Sequence, residues 1–350
     1  MPATPYLRVD LARLRRNVAA AADLAQGAGV ALRPHVKTHK CVEIARLQLT
    51  AGAVGISVAT VGEAETFVRH GVDDVFVAYP LWLDAGSAGR LADLTGDARV
   101  AIGVDSVEGA ANAGRLLGAS VVEALVEVDC GHHRSGVLPR DAGRVAAAAA
   151  RTGLQVRGVF TFPGHSYAPG ALARAAADEA TALREAADAL RAAGIEPQVV
   201  SGGSTPSLAY SDTETLTELR PGVYVFGDAQ QWELGAMPPE AIALTCRATV
   251  VSHAGGRLVL DAGSKVLGAD RPAYASGFGR LPDHPDARVV LLSEHHAVVD
   301  LAGASLPPLG SEVDVVPNHV CNAVNLVGTV YAEESGELRP WPVAARGLNS

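Results

Sequence analysis

Through the first two thirds of the chain, short apolar runs rich in β-branched residues alternate with longer helix-like stretches. Runs at 30–32, 53–58, 74–78, 99–104, 123–128, 156–162, 198–200 and 222–226 predict eight strands. Between them lie alanine-, leucine- and arginine-rich segments such as 62–70 and 173–193, compositions that favour helix. Gly52, Gly71 and Gly194 stand where those helices should stop. Eight strands, each separated from the next by a crossover, predict a closed parallel (β/α)8 barrel. An open doubly wound sheet would favour a G-x-G-x-x-G turn after the first strand. Arg33-Pro34-His35-Val36-Lys37 stands there instead.

After about Trp232 the pattern changes. Met237-Pro238-Pro239 reads as a linker, and strand-like runs follow at 242–252, 257–261, 288–292, 296–301 and 311–316 without long helices between them. The expected division is a barrel over 1–236 and a C-terminal mainly-β domain over 237–350. An apolar segment at 6–9 could join either one.

A chain of 350 residues, 48% of them hydrophobic, can bury the core of one large domain and a smaller one. Its formal charge of −9, with no basic stripe, argues against a nucleic-acid binder. Residues 1–17 lack the apolar core of a signal peptide, and no stretch approaches the ~18 apolar residues of a membrane span. Cys41, Cys130, Cys246 and Cys321 lie far apart, which fits a cytoplasmic protein with reduced thiols. Lysine occurs only at 37, 40 and 265, so lysine chemistry has three addresses.

In a barrel enzyme the chemistry sits at the C-terminal ends of the strands. After the first expected strand comes Arg33-Pro34-His35-Val36-Lys37-Thr38-His39-Lys40, which could also be a plain solvated basic turn. After the fifth comes Asp129-Cys130-Gly131-His132-His133-Arg134-Ser135-Gly136, and after the sixth Pro163-Gly164-His165-Ser166-Tyr167. After the seventh comes Ser201-Gly202-Gly203-Ser204-Thr205-Pro206, while Arg220-Pro221-Gly222 introduces the eighth, which carries Tyr224. In the Gly-Gly-Ser-Thr turn, two glycines let backbone N–H groups approach a ligand and two hydroxyls add donors. The alternative is a Ser/Gly-rich turn with no ligand. Barrels frequently hold a phosphate after strands seven and eight. A phosphate there and a lysine at strand one together suggest pyridoxal 5'-phosphate (PLP).

The Arg33–Lys40 segment resembles the cofactor-lysine motif of the D-serine dehydratase and D-threonine aldolase family, fold-type III PLP enzymes related in fold to alanine racemase. The resemblance extends through 129–136, 164–167, 202–205, 220–224 and Pro317-Asn318-His319-Val320-Cys321, in order along most of the chain. It implies Lys37 as the Schiff-base residue, Arg134 near the phenolic oxygen of PLP, and Tyr167 near the ring with His165 close by. It gives the phosphate to Gly202, Gly203, Ser204, Thr205 and Tyr224. On residues alone His319 and Cys321 are an incomplete metal site. The resemblance implies a metal there, with His-x-Cys the dehydratase form and His-x-Asp the aldolase form. A thiolate favours Zn²⁺ over Mn²⁺ or Mg²⁺. Ser293-Glu294-His295-His296 also resembles a family motif, with His295 where an acid is usual.

The reaction so implied is metal-assisted β-elimination from a D-β-hydroxy amino acid, with D-serine giving pyruvate and ammonia, in a homodimer. Metal-dependent retro-aldol cleavage to glycine and an aldehyde is the alternative. A racemase has no use for the metal pair, and a non-catalytic PLP carrier needs neither a metal nor a β domain.

Overall fold

The computed structural model describes residues 2–118 and 120–350. The chain divides into two compact units. A barrel unit comprises Ala21–Lys37, Gln48–Gly222 and Leu348–Ser350, and a sheet unit comprises Met1–Ala20, Thr38–Leu47 and Val223–Gly347.

Along the chain, β1 (Tyr6–Asp10) of the sheet unit precedes the eight barrel strands. These are β2 (Ala31–Leu32), β3 (Ile56–Val58), β4 (Asp74–Pro80), β5 (Arg99–Val104), β6 (Glu123–Glu127), β7 (Gln155–Phe160), β8 (Val199–Gly202) and β9 (Glu218–Leu219). They run parallel in the order β2-β9-β8-β7-β6-β5-β4-β3. The ring closes where Val54 N–H donates to Leu32 O (2.9 Å) and Ser57 N–H to Pro34 O (2.8 Å). Helices α1 (Leu11–Gly27), α2 (Val42–Thr50), α3 (Val61–Arg69), α4 (Ala85–Leu94), α5 (Val107–Leu117), α6 (Ala142–Arg151) and α7 (Leu172–Ala192) lie between the strands. The side chains of Thr60, Asp84 and Ser106 cap α3, α4 and α5 by accepting the N–H three residues on. Gly71 and Gly194, at φ 88° and 81°, take the left-handed turn just past α3 and α7, where a Cβ would be strained.

The barrel interior combines an apolar cluster with buried charges. Phe76, Ala78, Ala101, Leu125 and Phe160 form a buried cluster. Over it lies Arg220, 6% exposed, whose guanidinium donates to Ser201 Oγ (2.7 Å) and to the Thr161 carbonyl. Arg33 is equally buried and bonds Glu218 (2.7 Å) and Asp74 (2.6 Å), which together raise its pKa against the burial that would lower it. Buried charges of this kind persist because each has a partner.

One expected strand is displaced. The run 222–226 is a 3₁₀ turn (Val223–Val225) in the sheet unit, and the eighth barrel strand is β9. Pro221 has no N–H to continue a ladder. Arg220 N–H has already closed onto Gly202 O (2.7 Å). Arg220 therefore follows the eighth strand rather than introducing it.

The sheet unit contains β10 (Leu244–Ser252), β11 (Leu258–Leu260), β12 (Gly279–Arg280), β13 (Arg288–Leu292), β14 (Ala297–Asp300), β15 (Glu312–Pro317), β16 (Thr329–Glu334) and β17 (Glu337–Pro342). Its main order is β13-β14-β11-β10-β1-β16-β17, with β15 bridging β10 and β12. The segment at 6–9 thus lies in β1, antiparallel to β10 and parallel to β16. Three short helices complete the unit: α8 (Ala229–Glu233), α9 (Ser264–Leu267) and α10 (Val320–Leu326). None of the four cysteines is in a disulfide, and among the described residues no helix is long and apolar enough to cross a membrane.

Candidate active site

A cavity of about 560 Å³ in the barrel unit is lined by residues at or just past the C-terminal ends of β2 to β6, including His35, Lys37, Tyr79, Asp105, Arg134 and Ser135. Lys37 sits on a 3₁₀ turn just beyond β2, and its Nζ lies 5.7 Å from the centre of the Phe162 ring. The Arg134 guanidinium approaches the same ring at 5.3 Å. Two cations over one aromatic ring are each attracted by its quadrupole. His132 meets Phe162 edge-on at 5.6 Å, and Tyr167 is tilted toward it at 6.3 Å.

The loop after β6 is shaped by Asp129. Its carboxylate accepts from Gly131 N–H (2.9 Å), His133 N–H (3.0 Å) and the His133 ring (2.7 Å). Burial would raise Asp129, and these donors outweigh it, holding the carboxyl below its ordinary value. The His132 imidazole is depressed by burial and by the nearby Arg134 and His165. A Cβ on Gly164 would come within 2.5 Å of the His132 ring, so glycine there makes room for it. Burial raises Glu127, which lies 3.9 Å from Arg134. His165 Nε2 is 3.3 Å from Asp178 Oδ2.

The Gly-Gly-Ser-Thr turn follows β8, with Gly203 at φ 88°. Its surroundings are more specific than its residues disclose. Gly203 N–H donates to Glu179 Oε1 (2.7 Å), a carboxyl on α7 that burial pushes up to about 7. Ser204 Oγ bonds Ser166 (2.9 Å) and Ser207 (2.8 Å), tying this turn to the Tyr167 loop.

The sheet unit holds the remaining expected residues. Tyr224 is buried in the 3₁₀ turn Val223–Val225. His319 is the N-cap of α10 and Cys321 lies in its first turn, with Cys321 Sγ 3.4 Å from Thr38 Oγ1. His319 Nδ1 is hydrogen-bonded to Asp270 Oδ2. Burial alone would depress the imidazole, but Cys321 and Asp270 push it up to about 11. Buried Asp228 accepts from Gln231 N–H (2.9 Å) and Val320 N–H (3.2 Å), joining the starts of α8 and α10. An imidazole nitrogen and a thiol in one short turn are a fitting pair of zinc donors. Among the described residues no third His, Cys, Asp or Glu completes a closed metal cage. The pair would therefore leave coordination positions for water or substrate.

Of the expected residues, the barrel unit brings Lys37, Arg134 and Tyr167 to one ring, and links the glycine turn to them through Ser166. Phe162, Glu179 and Asp270 were not anticipated. Phe162 is the last residue of the predicted run 156–162, just past the observed β7, and could have been found there. Asp270 lies 49 positions from His319 and carries no local signal.

Residues 9–230 match the family described as alanine racemase, N-terminal domain, and residues 243–332 match the serine dehydratase domain family. The D-threo-3-hydroxyaspartate dehydratase of Delftia sp. strain HT23 is 36% identical over 91% of this chain and 90% of its own. Its solved structure aligns with a TM-score of 0.91 at 31% identity, covering 98% of this chain and 97% of that one. A solved form of it with a cysteine replaced by alanine is metal-free. The 3-hydroxy-D-aspartate aldolase of Paracoccus denitrificans is 33% identical over 98% of this chain and 92% of its own. The D-threonine aldolase structure from Filomicrobium marinum aligns with a TM-score of 0.88 at 30% identity, covering 99% and 96%.

Proposed function

The chain belongs to the alanine racemase-fold family that carries a serine dehydratase domain, and on that footing we propose that it dehydrates D-serine to pyruvate and ammonia. It is a PLP-dependent lyase of D-β-hydroxy amino acids, as are its dehydratase and aldolase relatives. One observation carries the site: Lys37 and Arg134 line a single cavity at the strand ends. Its volume of about 560 Å³ suits a cofactor with a small substrate.

PLP, when bound, supplies an electron sink for negative charge at Cα. Lys37 would hold it through Nζ and, once released, take the Cα proton. Arg134 would donate to its phenolic oxygen, and the ring would lie near Tyr167 and His165. The phosphate would fall to Gly202, Ser204, Thr205 and Tyr224, with Gly203 shaping the turn between them. Because Glu179 takes the Gly203 N–H, glycine at 203 serves the turn's shape, and the donors left for phosphate are those of its neighbours. A zinc ion on His319 and Cys321 would supply Lewis-acid stabilisation of the departing hydroxide, a poor leaving group at neutral pH. Mn²⁺ and Mg²⁺ are poorer matches to a thiolate. The proposal includes a homodimer in the cytoplasm.

The test is to incubate purified protein with D-serine, D-threonine, D-threo-3-hydroxyaspartate and their L-forms, and to identify every carbonyl product. Pyruvate from D-serine is expected. Oxaloacetate as the main product would keep the dehydratase reading and change the substrate. The aldolase relatives support a second reading, metal-dependent cleavage to glycine and an aldehyde, which the same products would reveal.

A further inference from the structure

A metal-binding imidazole needs one nitrogen lone pair and an acceptor for the N–H on the other nitrogen. Without that acceptor the ring turns freely and either nitrogen can carry the proton. His319 has such an acceptor in Asp270 Oδ2, bonded at Nδ1. The acceptor is itself held in place. Asn318 Nδ2 donates to the Asp270 backbone carbonyl (3.1 Å), so adjacent residues grip Asp270 by backbone and by side chain. Gly268, at φ 77°, ends α9 against α10. A Cβ there would stand 3.3 Å from both Asn322 Cβ and Asp270 Oδ1. The close approach of α9 and α10 that delivers Asp270 therefore depends on a glycine at this turn.

We propose that Asp270 is a positioning residue: it fixes the ring of His319 and leaves Nε2 as the metal-binding atom. This rests on the reading of His319 and Cys321 as a metal pair. Asn318 acts one step further out, through the backbone of Asp270.

The experiment is a zinc titration of metal-free protein against a chromophoric chelator, with melting of each metal-free variant measured alongside. Asp270→Ala should weaken zinc about 10- to 100-fold. Asp270→Asn should lose less, because its amide oxygen can still accept from Nδ1, and Asn318→Ala least of all. Melting of the metal-free variants should match the native protein. Native affinity in Asp270→Ala overturns the proposal. So does a loss of affinity that tracks a loss of melting temperature and is not eased by Asn. If the native protein binds zinc no better than His319→Ala, the metal reading falls and takes this proposal with it.

Discussion

Arg220 inside the barrel and Arg134 at its cavity each lie 5.3 Å from a phenylalanine ring, and they differ in what else surrounds the charge. Arg220 is buried, donates to Ser201 and the Thr161 carbonyl, and feels Glu218, Glu179 and Glu127. The Arg134 side chain is half exposed, and its paired carboxylate, Glu127, stands 3.9 Å away. The same cation–aromatic contact thus lies in the packed interior in one place and beside an open cavity in the other. What separates them is whether neighbouring groups already neutralise the charge. A charge satisfied within the protein stabilises structure, whereas a loosely paired one beside a cavity is available to a bound anion.

Five substitutions, with two lysine controls, can break or sharpen that contrast. The largest effect belongs to Lys37→Ala. It should abolish the visible absorbance of bound PLP and lower turnover by at least ~10²–10⁴. Lys40→Ala and Lys265→Ala should keep the absorbance, since those amines bond Asn325 (2.8 Å) and Glu294 (3.2 Å). A pyridoxyl adduct mapped to Lys40 after borohydride reduction would refute the assignment.

Arg220→Ala should cost about 3–5 kcal/mol in denaturant unfolding, because it strips a partner from buried carboxylates. Arg134→Ala should change stability by less than ~1 kcal/mol while weakening PLP in an equilibrium titration. Equal stability losses in the two would erase the distinction between interior and mouth.

Glu179 offers a test through pH. Burial lifts it from 4.5 to about 7, against the pull of Gly203 N–H and Arg220. Between those values the folded chain binds more protons than the unfolded one, so this contribution to stability declines as pH rises and is fully lost above about 7. Glu179→Gln should remove the decline. It should be more stable than the native protein at alkaline pH, by on the order of 3 kcal/mol, and equal to it below the ordinary carboxylate range. A parallel pH profile for the two proteins would rule out titration at this position. The smallest effect is expected from Gly203→Val, which puts a side chain at φ 88° and within 3.3 Å of Leu219. PLP affinity should fall with modest loss of stability, and unchanged affinity would take the turn out of the cofactor site.

The first seven barrel strands could be read from the chain because each falls in a short apolar run ended by a glycine or a polar turn. The eighth could not. Glu218-Leu219 is two residues long and half charged, and it belongs in the barrel because Arg33 and Ser201 satisfy the glutamate. The apolar Val223–Phe226 run beside it is buried in the sheet unit instead. β16 and β17 escaped for a related reason, since Glu333, Glu334, Glu337, Arg339 and two prolines mask their strand pattern. The place of Lys37 at the cavity was readable because it lies just past a predicted strand end. The ring that Lys37 shares with Arg134 and the carboxylate behind His319 depend on long-range contacts, which periodicity does not encode.

β1 lies between β10 and β16, antiparallel to one and parallel to the other. As the chain leaves the ribosome, its first strand has no sheet to join. Both neighbours emerge only after the whole barrel has been synthesised. Pairing of such remote segments is slow, and an unpaired strand is an invitation to association with other chains. The same arrangement limits dissection: residues 237–350 expressed alone would lack the middle strand of their own sheet. A tag or fusion ahead of β1 therefore acts on an interior strand of the sheet unit, whose strand partners lie more than two hundred residues further along the chain.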